Sequence, residues 1–599
     1  MAFQDFDLIT EKRKTDKKQK LKRKIAIGAV CTIVVIGLIG AAAFVVVTKY
    51  SEEDKEFNNH NKKSPPSSSS SSSKSNPDAN QVSAISEKLV KTICGYTDYQ
   101  EKCETSLKEE VKKNAKISQP KDVLQVAISV AQDEVNKAMN KSSNFNFETD
   151  QEKGAFEDCK KLLEAAKNDL GNSSSHVASL DMAKLKSSSS DLNSWLSAVI
   201  SFQGACLDGF SEGKLKTELE SAFRNSTEYV SNSLAILSQL GSAFSSALLN
   251  GGASRHLLSS SDDKGLPEWM KDEDRRMLKA ADDKPTPNVT VSSDGSGDFK
   301  TISEALKAIP QKYDGRYVVY VKAGTYDETV VIESRMVNLT LYGDGSQKSI
   351  ITGNKNFVDG VRTYHTASFA VEADGFLGKA MGFRNTAGPE KHQAVAARIQ
   401  GDRSVFVNCR FEGYQDTLYA LAHRQFYRSC VISGTVDFIF GDAAAIFQNC
   451  IINIRKPMDN QQNIVTAQGR MDPRQQTAIV LQNCQIKADT SLASVKDKFK
   501  NYLGRPWKEN SRTIIMESQI DGIIDPEGWM QWEGEFALKT LFYAEYNNTG
   551  PGANTDNRVK WPGYKKITRD EASSFTVGTF LAGNWISVIN VPVQRGLYN

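Results

Sequence analysis

The chain has 599 residues, of which 39% are hydrophobic, 9% aromatic and 25% charged. This length is sufficient for two or three domains, and the composition excludes a wholly disordered or collagen-like protein. The formal net charge of +3 gives no support to a nucleic-acid-binding function, because a basic binding face usually produces a strong excess of lysine and arginine.

The first 48 residues predict a membrane-inserted segment. Residues 1–24 form a basic cytoplasmic tail, and residues 25–48 form an uncharged, mostly apolar run that is long enough to cross a hydrocarbon core of ~30 Å. A cleaved signal peptide is the alternative, since three alanines at 41–43 offer a cleavage site. The apolar core of a signal peptide is usually only ~7–15 residues long, so we favour a signal anchor. In either case the rest of the chain enters the secretory pathway.

The cysteines agree with a secretory route. Eight of the nine follow the apolar run and fall into two groups of four. The first group is Cys94, Cys103, Cys159 and Cys206, and the second is Cys409, Cys430, Cys450 and Cys484. An even number in each region predicts disulfides, whereas a zinc site is disfavoured because the chain has no CxxC motif and its six histidines are not clustered near the cysteines. Six Asn-x-Ser/Thr sequons, compatible with a glycoprotein, lie at Asn140, Asn172, Asn225, Asn288, Asn338 and Asn547.

A flexible linker and a helical domain follow the apolar run. Residues 49–81 are rich in serine and proline, with seven consecutive serines, and such a segment cannot bury a core. Residues 82–249 contain no proline after Pro120, and segments 123–131 and 192–202 place apolar residues at helical spacing. This pattern predicts an antiparallel helical bundle held by two disulfides.

Residues 250–285 form a second linker, which is polar and carries two basic sites. One contains Arg255, and the other contains Arg275 and Arg276. Exposed linkers of this kind are where proteases cut, so we predict that these arginines mark a processing site. Solvated charge without processing is the alternative interpretation.

Residues 286–599 predict a parallel β-helix. Short β-rich runs alternate with turn residues, and an Asn/Ser-Cys pair recurs with cysteine intervals of 21, 20 and 34 residues. A period near 20 is typical of stacked coils, and the long interval then marks an inserted loop. Equivalent positions of adjacent coils lie ~4.8 Å apart, so Cys409 and Cys430 could form a disulfide between coils. A β-sandwich is the alternative, but it requires hairpin turns that the sequence does not show.

Two aspartates are the candidate reactive groups. Asp416 and Asp437 are 21 residues apart, the same interval as Cys409 and Cys430, so they are expected to stack on adjacent coils. Two carboxylates so close together cannot both ionise freely, and one tends to keep a proton. This division provides one acid and one nucleophile or base. A turn or cap role is the usual alternative for an aspartate, but the apolar residues on either side of Asp437 make its burial costly without a function.

Five motifs in this region resemble those of plant pectin methylesterases. One of them reads Gly-Thr-Val-Asp-Phe-Ile-Phe-Gly, and the likeness extends from residue 288 to residue 599. The motifs lie at 324–328, 393–398, 414–418, 434–441 and 503–507. The helical region resembles the pectinesterase-inhibitor-like pro-region of such enzymes in its cysteine spacing and helical texture. The resemblance implies a right-handed parallel β-helix catalytic domain that follows a four-helix-bundle pro-domain.

The resemblance also implies a role for each site residue. Asp437 would attack the C6 carbonyl of a methylated galacturonate, and Asp416 would serve as general acid and then general base. Gln393 and Gln415 would stabilise the oxyanion, and Arg505 would hold Asp437 ionised. The implied substrate-binding residues are Thr363, Gln393, Tyr419, Phe438, Arg505 and Trp507. No metal or organic cofactor is implied.

The implied partners are pectin, pectinesterase inhibitor proteins, a subtilisin-like processing protease and, through the N-terminal segment, a membrane. A membrane-anchored precursor in the secretory pathway would yield a mature enzyme in the extracellular cell wall. Pectate lyases and polygalacturonases share the β-helix, but the calcium-binding acidic cluster of the former and the Gly-His-Gly element of the latter are absent. An Asn-Thr-Asp tripeptide, the other element expected of a polygalacturonase, occurs at 554–556 without it. A chain that acts mainly as an inhibitor through its helical domain is the remaining alternative.

Overall fold

A computed structural model describes residues 79–112, 117–246 and 285–598. The predicted basic tail and signal anchor lie outside the described residues, as do the predicted processing positions Arg255, Arg275 and Arg276. Within the described ranges, no helix is both long and apolar enough to span a membrane.

The N-terminal half is helical, as the sequence predicts. The helices in its described part are α1 (Ala79–Cys94), α2 (Gln100–Lys112), α3 (Pro120–Ser142), α4 (Asp150–Ser179), α5 (Met182–Asp208) and α6 (Lys214–Ser246). Pro120 occupies the first turn of α3, where its missing N–H costs nothing. Thr149 caps α4 by accepting a hydrogen bond from the Glu152 N–H, while the Glu152 carboxylate accepts one from Thr149.

The four long helices, α3 to α6, pack around one hydrophobic core. Helix α4 packs against α3 and α5, and α6 packs against α3 and α5, which closes a four-helix arrangement. Disulfides confirm the prediction for the first group of cysteines. Cys94 bonds to Cys103 between α1 and α2, and Cys159 bonds to Cys206 between α4 and α5.

The C-terminal half is a parallel β-helix, as predicted. Every strand pair in it is parallel, and each coil contributes strands in turn to three sheets. The first sheet comprises Val289–Val291, Tyr317–Val321, Leu339–Gly343, Leu377–Lys379, Ser404–Val407, Arg424–Arg428, Ala444–Gln448, Ala478–Gln482, Arg512–Met516, Phe542–Tyr546 and Tyr564–Lys566. The second comprises Gly324–Asp327, Ser349–Gly353, Gly382–Asn385, Arg410–Glu412, Val431–Gly434, Ile451–Ile454, Gln485–Ala488 and Gln519–Ile520. The third comprises Val330–Ile332, Phe369–Val371, Ala397–Ile399, Leu418–Ala420, Ile439–Gly441, Asn463–Gln468 and Asn501–Gly504.

Short helices border the coils. Helix α7 (Ile302–Lys307) packs against the strands Val289–Val291 and Val330–Ile332 and places Ile302 in the core at the N-terminal end of the stack. The Glu328 carboxylate accepts hydrogen bonds from the backbone N–H groups of Ile302 and Ser303 at the start of α7, so the motif at 324–328 has a structural role. The other short helices are Thr490–Ala493, Arg569–Ser573, Val577–Phe580 and Asn584–Val588.

A left-handed residue at the turn from the first sheet to the second explains the Asn/Ser-Cys repeat. Asn408, Ser429, Asn449 and Asn483 have φ values of 54°, 52°, 57° and 52°. Asparagine adopts this conformation more readily than most residues, because its short polar side chain can form local hydrogen bonds. Asn483 Nδ2 donates to Asn449 Oδ1 over 3.1 Å, so the asparagines also bond from coil to coil.

The four cysteines of the β-helix are free thiols, so the prediction of disulfides at Cys409, Cys430, Cys450 and Cys484 is wrong. Their coils are in register, and all four are buried in the interior. Side chains at equivalent positions of parallel coils point the same way, and here each thiol lies against a backbone carbonyl. Cys430 Sγ, for example, is 3.4 Å from the Phe406 oxygen, and Cys484 Sγ is 3.3 Å from the Phe447 oxygen.

The long interval between the third and fourth of these cysteines is confirmed as an insertion. The additional residues lie in two turns of one coil, at 455–462 before Asn463–Gln468 and at 469–477 after it. The strands on either side keep their register, so the stack absorbs the insertion outside its core.

Candidate active site

The two candidate aspartates lie in the turns that lead from the second sheet to the third. Because Leu418 pairs with Ile439, Asp416 and Asp437 occupy equivalent positions of adjacent coils, as predicted. Both have positive φ values, 62° and 50°. They are 8% and 5% exposed, so two carboxyl groups are stacked in a largely desolvated place.

Arg505 pairs with Asp437. The guanidinium Nε lies 2.9 Å from Oδ1, and Nη2 lies 2.5 Å from Oδ2, which is a two-pronged arrangement that favours the ionised carboxylate. Arg505 reaches this position because it directly follows the strand Asn501–Gly504 of the third sheet. Its guanidinium also lies over the Trp532 ring, 4.2 Å from the centroid.

Asp416 has a different electrostatic environment. Burial raises the pKa of Asp416 well above its ordinary value, the charge of Asp437 raises it further, and Arg505 opposes both effects. The pair therefore consists of one carboxylate with an arginine partner and one carboxyl group that retains its proton at higher pH. Within the described residues, no group of three or more His, Cys, Asp or Glu side chains is placed to hold a metal ion.

Polar side chains from three neighbouring segments face the same cavity. Gln393 and Gln415 line it together with Thr363, which belongs to the 3₁₀ turn Thr363–His365. The Gln393 Oε1 atom is buried and has no hydrogen-bond partner among the described residues. This acceptor oxygen can bind a substrate hydroxyl without first losing another partner.

Aromatic rings form one wall of the site, but not all of the predicted ones. Tyr419 stacks on Phe440 with ring centroids 4.3 Å apart, and the Trp507 ring meets both edge-on. Phe438 is fully buried in the interior core of the β-helix, so the prediction that it contacts sugar is wrong. Asp437 has a left-handed backbone with a φ of 50°, so regular strand alternation does not extend through it. The Phe438 side chain lies in the interior, whereas Asp437 faces the cavity.

Two further aromatic residues, Phe440 and Trp532, are not among the substrate-binding residues that the resemblance implies. Both line the cavity. Within the strand Ile439–Gly441, Ile439 lies in the core, so alternation directs Phe440 outward. Nothing in the sequence places Trp532, which is 95 residues from Asp437, beside Arg505.

The cavity has a volume of about 470 Å³ and is bordered by both halves of the chain. Its β-helix side includes Asp416, Asp437 and Arg505, and its other side is formed by residues of α4 and α5 such as Asp158 and Asp208. The helical domain thus lies over the candidate catalytic residues.

Polar contacts hold the helical domain in this place. The His423 ring Nε2 lies 3.0 Å from Asp169 Oδ2 of α4, and Arg424 pairs with Asp191 of α5 over 2.8 Å. Burial lowers the pKa of His423, but the carboxylates of Asp169, Asp402 and Asp374 outweigh this effect and raise it to about 10. The interface therefore contains a buried, charged histidine.

Both halves match known protein families. The family model described as "Pectinesterase" matches residues 288–584, and "Plant invertase/pectin methylesterase inhibitor" matches residues 88–236. The chain is 50% identical to "Probable pectinesterase/pectinesterase inhibitor 13" of Arabidopsis thaliana over 100% of both chains, and 40% identical to "Pectinesterase 3" of Citrus sinensis over 85% of this chain and 88% of that one.

A solved structure also resembles part of the chain. "Pectin methylesterase from Carrot" is 49% identical, has a TM-score of 0.52 and covers 53% of this chain and 99% of its own. Taken with the stacked aspartates, the arginine partner and the full-length match to the Arabidopsis relative, these findings show that the chain belongs to the plant pectinesterase/pectinesterase inhibitor family.

Proposed function

We propose that the protein hydrolyses the methyl esters of pectin to pectate and methanol by means of Asp437 and Asp416. The observation that carries this assignment is the asymmetry of the pair. Asp437 is bound by Arg505, whereas Asp416 has a raised pKa and no arginine bonded to it among the described residues. The first is suited to be the nucleophile, and the second is suited to be the acid.

In the first half of the reaction, an Asp437 carboxylate oxygen attacks the C6 carbonyl carbon of the ester. The negative charge moves to the carbonyl oxygen, where the side-chain amides of Gln393 and Gln415 stabilise it, and one such donor typically contributes about 3 kcal/mol. The tetrahedral species collapses as the C6–O bond to the methoxy group breaks, and Asp416 gives its proton to the departing methanol. An acyl-enzyme remains on Asp437.

In the second half, the Asp416 carboxylate accepts a proton from water, and the water oxygen attacks the acyl carbon. Collapse of the second tetrahedral species returns the Asp437 carboxylate and releases the free acid. Arg505 favours the ionised form of Asp437 at the start and at the end of the cycle. Thr363, Tyr419 and Trp507 are positioned along the same cavity to bind the sugar units.

Asp437→Asn tests the nucleophile. We expect methanol release from highly methylated pectin to fall to background, because an amide is too weak a nucleophile to form the acyl-enzyme. Circular dichroism and thermal unfolding should show a folded chain, since asparagine also tolerates a positive φ. Substantial turnover by a folded, sequence-verified variant would contradict the role.

We propose further that the uncut chain is an inactive precursor. Support comes from the helical residues that border the cavity, including Asp158 and Asp208, and from the match of this region to the inhibitor family model. On this proposal the apolar run at 25–48 anchors the precursor in the secretory pathway, a subtilisin-like protease cuts near Arg275 and Arg276, and the β-helix half reaches the cell wall as the active enzyme. Assisted folding without inhibition is the alternative role of the helical domain.

The precursor proposal is tested by changing Arg255, Arg275 and Arg276 together to alanine. We expect an uncut product that is retained inside the cell and does not release methanol. Immunoblotting gives the size of the product, cell fractionation gives its location, and an assay on isolated walls gives its activity. An uncut chain that reaches the wall and is fully active would show that the helical domain is not an inhibitor.

A further inference from the structure

A carboxylate of the helical domain occupies a small cationic pocket in the wall of the candidate active-site cavity. Asp158 of α4 has a side chain that is 9% exposed, and both of its oxygens are engaged by the β-helix half. Arg362 Nε and Nη2 each lie 2.9 Å from Oδ2, and His365 Nε2 lies 2.6 Å from Oδ1. Thr363, between these two residues in sequence, borders the cavity together with Asp158 and Arg362.

The surface of α4 is shaped to admit this contact. Gly154 lies one turn before Asp158, on the same face of the helix, and a Cβ atom at Gly154 would be only 2.2 Å from Arg362 Nη1. A side chain there would push Arg362 away from Asp158. The absence of a side chain at Gly154 and the carboxylate at Asp158 together make α4 complementary to the Arg362 side chain.

Helix α5 also has a glycine one turn before an aspartate, although here the glycine faces a methionine and not the cation that pairs with the aspartate. Gly204 lies one turn before Asp208, a Cβ atom at Gly204 would be 2.7 Å from Met471 Sδ, and Asp208 forms an ion pair with Lys508. Asp208 also borders the cavity that contains Asp416 and Asp437. The helical domain thus presents two carboxylates to cationic side chains at the edge of one site.

The substrate of the proposed reaction contains the same chemical group. A galacturonate unit that has lost its methyl ester carries a carboxylate at C6, and a partly processed chain carries such groups beside the remaining esters. A methyl ester is neutral, so a positively charged pocket beside the ester-binding site is not needed to bind it. The positive charge matches the carboxylate of a neighbouring sugar unit that has already lost its methyl group. Charge-assisted bonds from a guanidinium give both affinity and orientation to a carboxylate.

We propose that Arg362 and His365 form a binding site for the carboxylate of an already de-esterified galacturonate unit, and that Asp158 occupies this site as a carboxylate mimic in the uncut chain. The inference rests on the proposed function and adds to it a residue pair that reads the esterification state of the neighbouring sugar. Asp158 therefore blocks a substrate subsite in addition to closing the interface.

The first test uses the uncut chain and a de-esterified galacturonate trimer as the probe. Asp158→Asn removes the competing charge, so the trimer at millimolar concentration should raise the unfolding midpoint of this variant more than that of the wild type. Asp150→Asn is the matched control, because Asp150 lies on the same helix and is exposed. Equal shifts in Asp158→Asn, Asp150→Asn and wild type would overturn the proposal.

The second test uses a full chain that is folded, cut at a sequence-specific protease site placed in the 250–285 linker, and freed of its helical half through an affinity tag. Arg362→Gln should raise the Kd for the trimer, measured by calorimetry, by roughly tenfold. Arg362→Lys should have an intermediate effect, and Arg335→Gln, which changes a surface arginine paired with Glu333, should have none. An unchanged Kd in Arg362→Gln would overturn the proposal.

Methanol release from highly methylated pectin by the same preparations tests the proposed esterase function separately from the proposed carboxylate-binding site. Trimer binding that depends on Arg362 without methanol release would leave the subsite standing and refute the proposed function. Methanol release together with trimer binding that is insensitive to Arg362 would support the proposed function and refute the subsite.

Discussion

At the scale of single residues, the site separates two identical functional groups by their surroundings. Asp437 has the Arg505 guanidinium on both oxygens, whereas Asp416 is desolvated and lies next to a negative charge. A desolvated carboxyl group disfavours its charged form. The structure therefore keeps a proton available on Asp416 at a cost in stability that depends on pH.

We expect Asp416→Asn to inactivate the enzyme. We also expect the stability of this variant, relative to that of the wild type, to increase as the pH rises. The folded pKa of Asp416 is raised above 3.8, so the folded state holds this proton more tightly than the unfolded state, and stability falls as the pH rises from about 4 toward the raised pKa. Asparagine does not titrate. The difference between the unfolding midpoints of the Asp416→Asn variant and the wild type should thus increase from pH 4 upward and then level off.

Calorimetric unfolding of both chains between pH 4 and pH 8 measures this difference, with Asp150→Asn, a change at an exposed aspartate, as the control. A difference in unfolding midpoint that stays constant with pH would mean that the folded protein does not disfavour the charged form of Asp416. Activity that stays within about threefold of wild type would show instead that another group transfers the proton.

At the scale of elements, the coil is the unit that the sequence encodes most clearly. The cysteine intervals, the Asn/Ser-Cys repeat and the 21-residue spacing of the aspartates all report the stacking period, because equivalent positions of adjacent coils share one environment. The inward or outward direction of a side chain near a left-handed turn is less predictable. The resemblance predicts that Phe438 contacts the substrate, whereas Phe440, two residues further along the chain, is the one beside Tyr419.

The state of the stacked cysteines and the contacts between distant segments could not be predicted from the sequence, for physical reasons. Spacing alone could not tell whether stacked cysteines bond to each other or to backbone carbonyls, because the coil separation of ~4.8 Å is compatible with both. The contacts of Trp532 with Arg505 and of Asp158 with Arg362 join segments that no repeat connects. Such contacts depend on how whole elements dock.

The left-handed turn gives a prediction at this scale. Asn483 has a φ of 52° and donates a hydrogen bond to Asn449. We expect Asn483→Ala to lower the free energy of unfolding by about 2 kcal/mol, because alanine adds a left-handed penalty of about 1–2 kcal/mol to the lost hydrogen bond. Asn483→Gly should cost less, since glycine has no such penalty. Guanidinium unfolding of the three chains gives the comparison, and an equal loss for alanine and glycine would refute the strain argument.

At the scale of the whole molecule, the helical domain and the β-helix share a buried ionic interface. His423 and Asp169 are each 7% exposed, and the pKa of His423 is raised to about 10. Breaking a buried pair by removing one partner leaves an uncompensated group. The interface is therefore sensitive to the protonation of one histidine.

We expect His423→Gln to destabilise the chain in a pH-dependent way. The pKa of His423 is raised from 6.5 to about 10, so its contribution is fully present below about pH 6.5 and is lost as the pH rises through about 10. The variant should unfold at least about 3 °C below wild type at pH 7 and converge with it near pH 10.5. Asp169→Asn and the double variant complete a cycle that isolates the pair; a deficit independent of pH would show that His423 acts by packing alone.

The structure of the two ends of the β-helix affects whether copies of the protein can associate end to end. A stack of parallel coils has no intrinsic length, and its last open strands are templates for another chain. Helix α7 covers one end, and at the other the final strand of the first sheet carries the exposed Lys565 and Lys566, while that of the second has only two residues. Covered ends, short final strands and exposed lysines all oppose the addition of a further strand, so we expect these features to disfavour end-to-end growth of the stack into fibres.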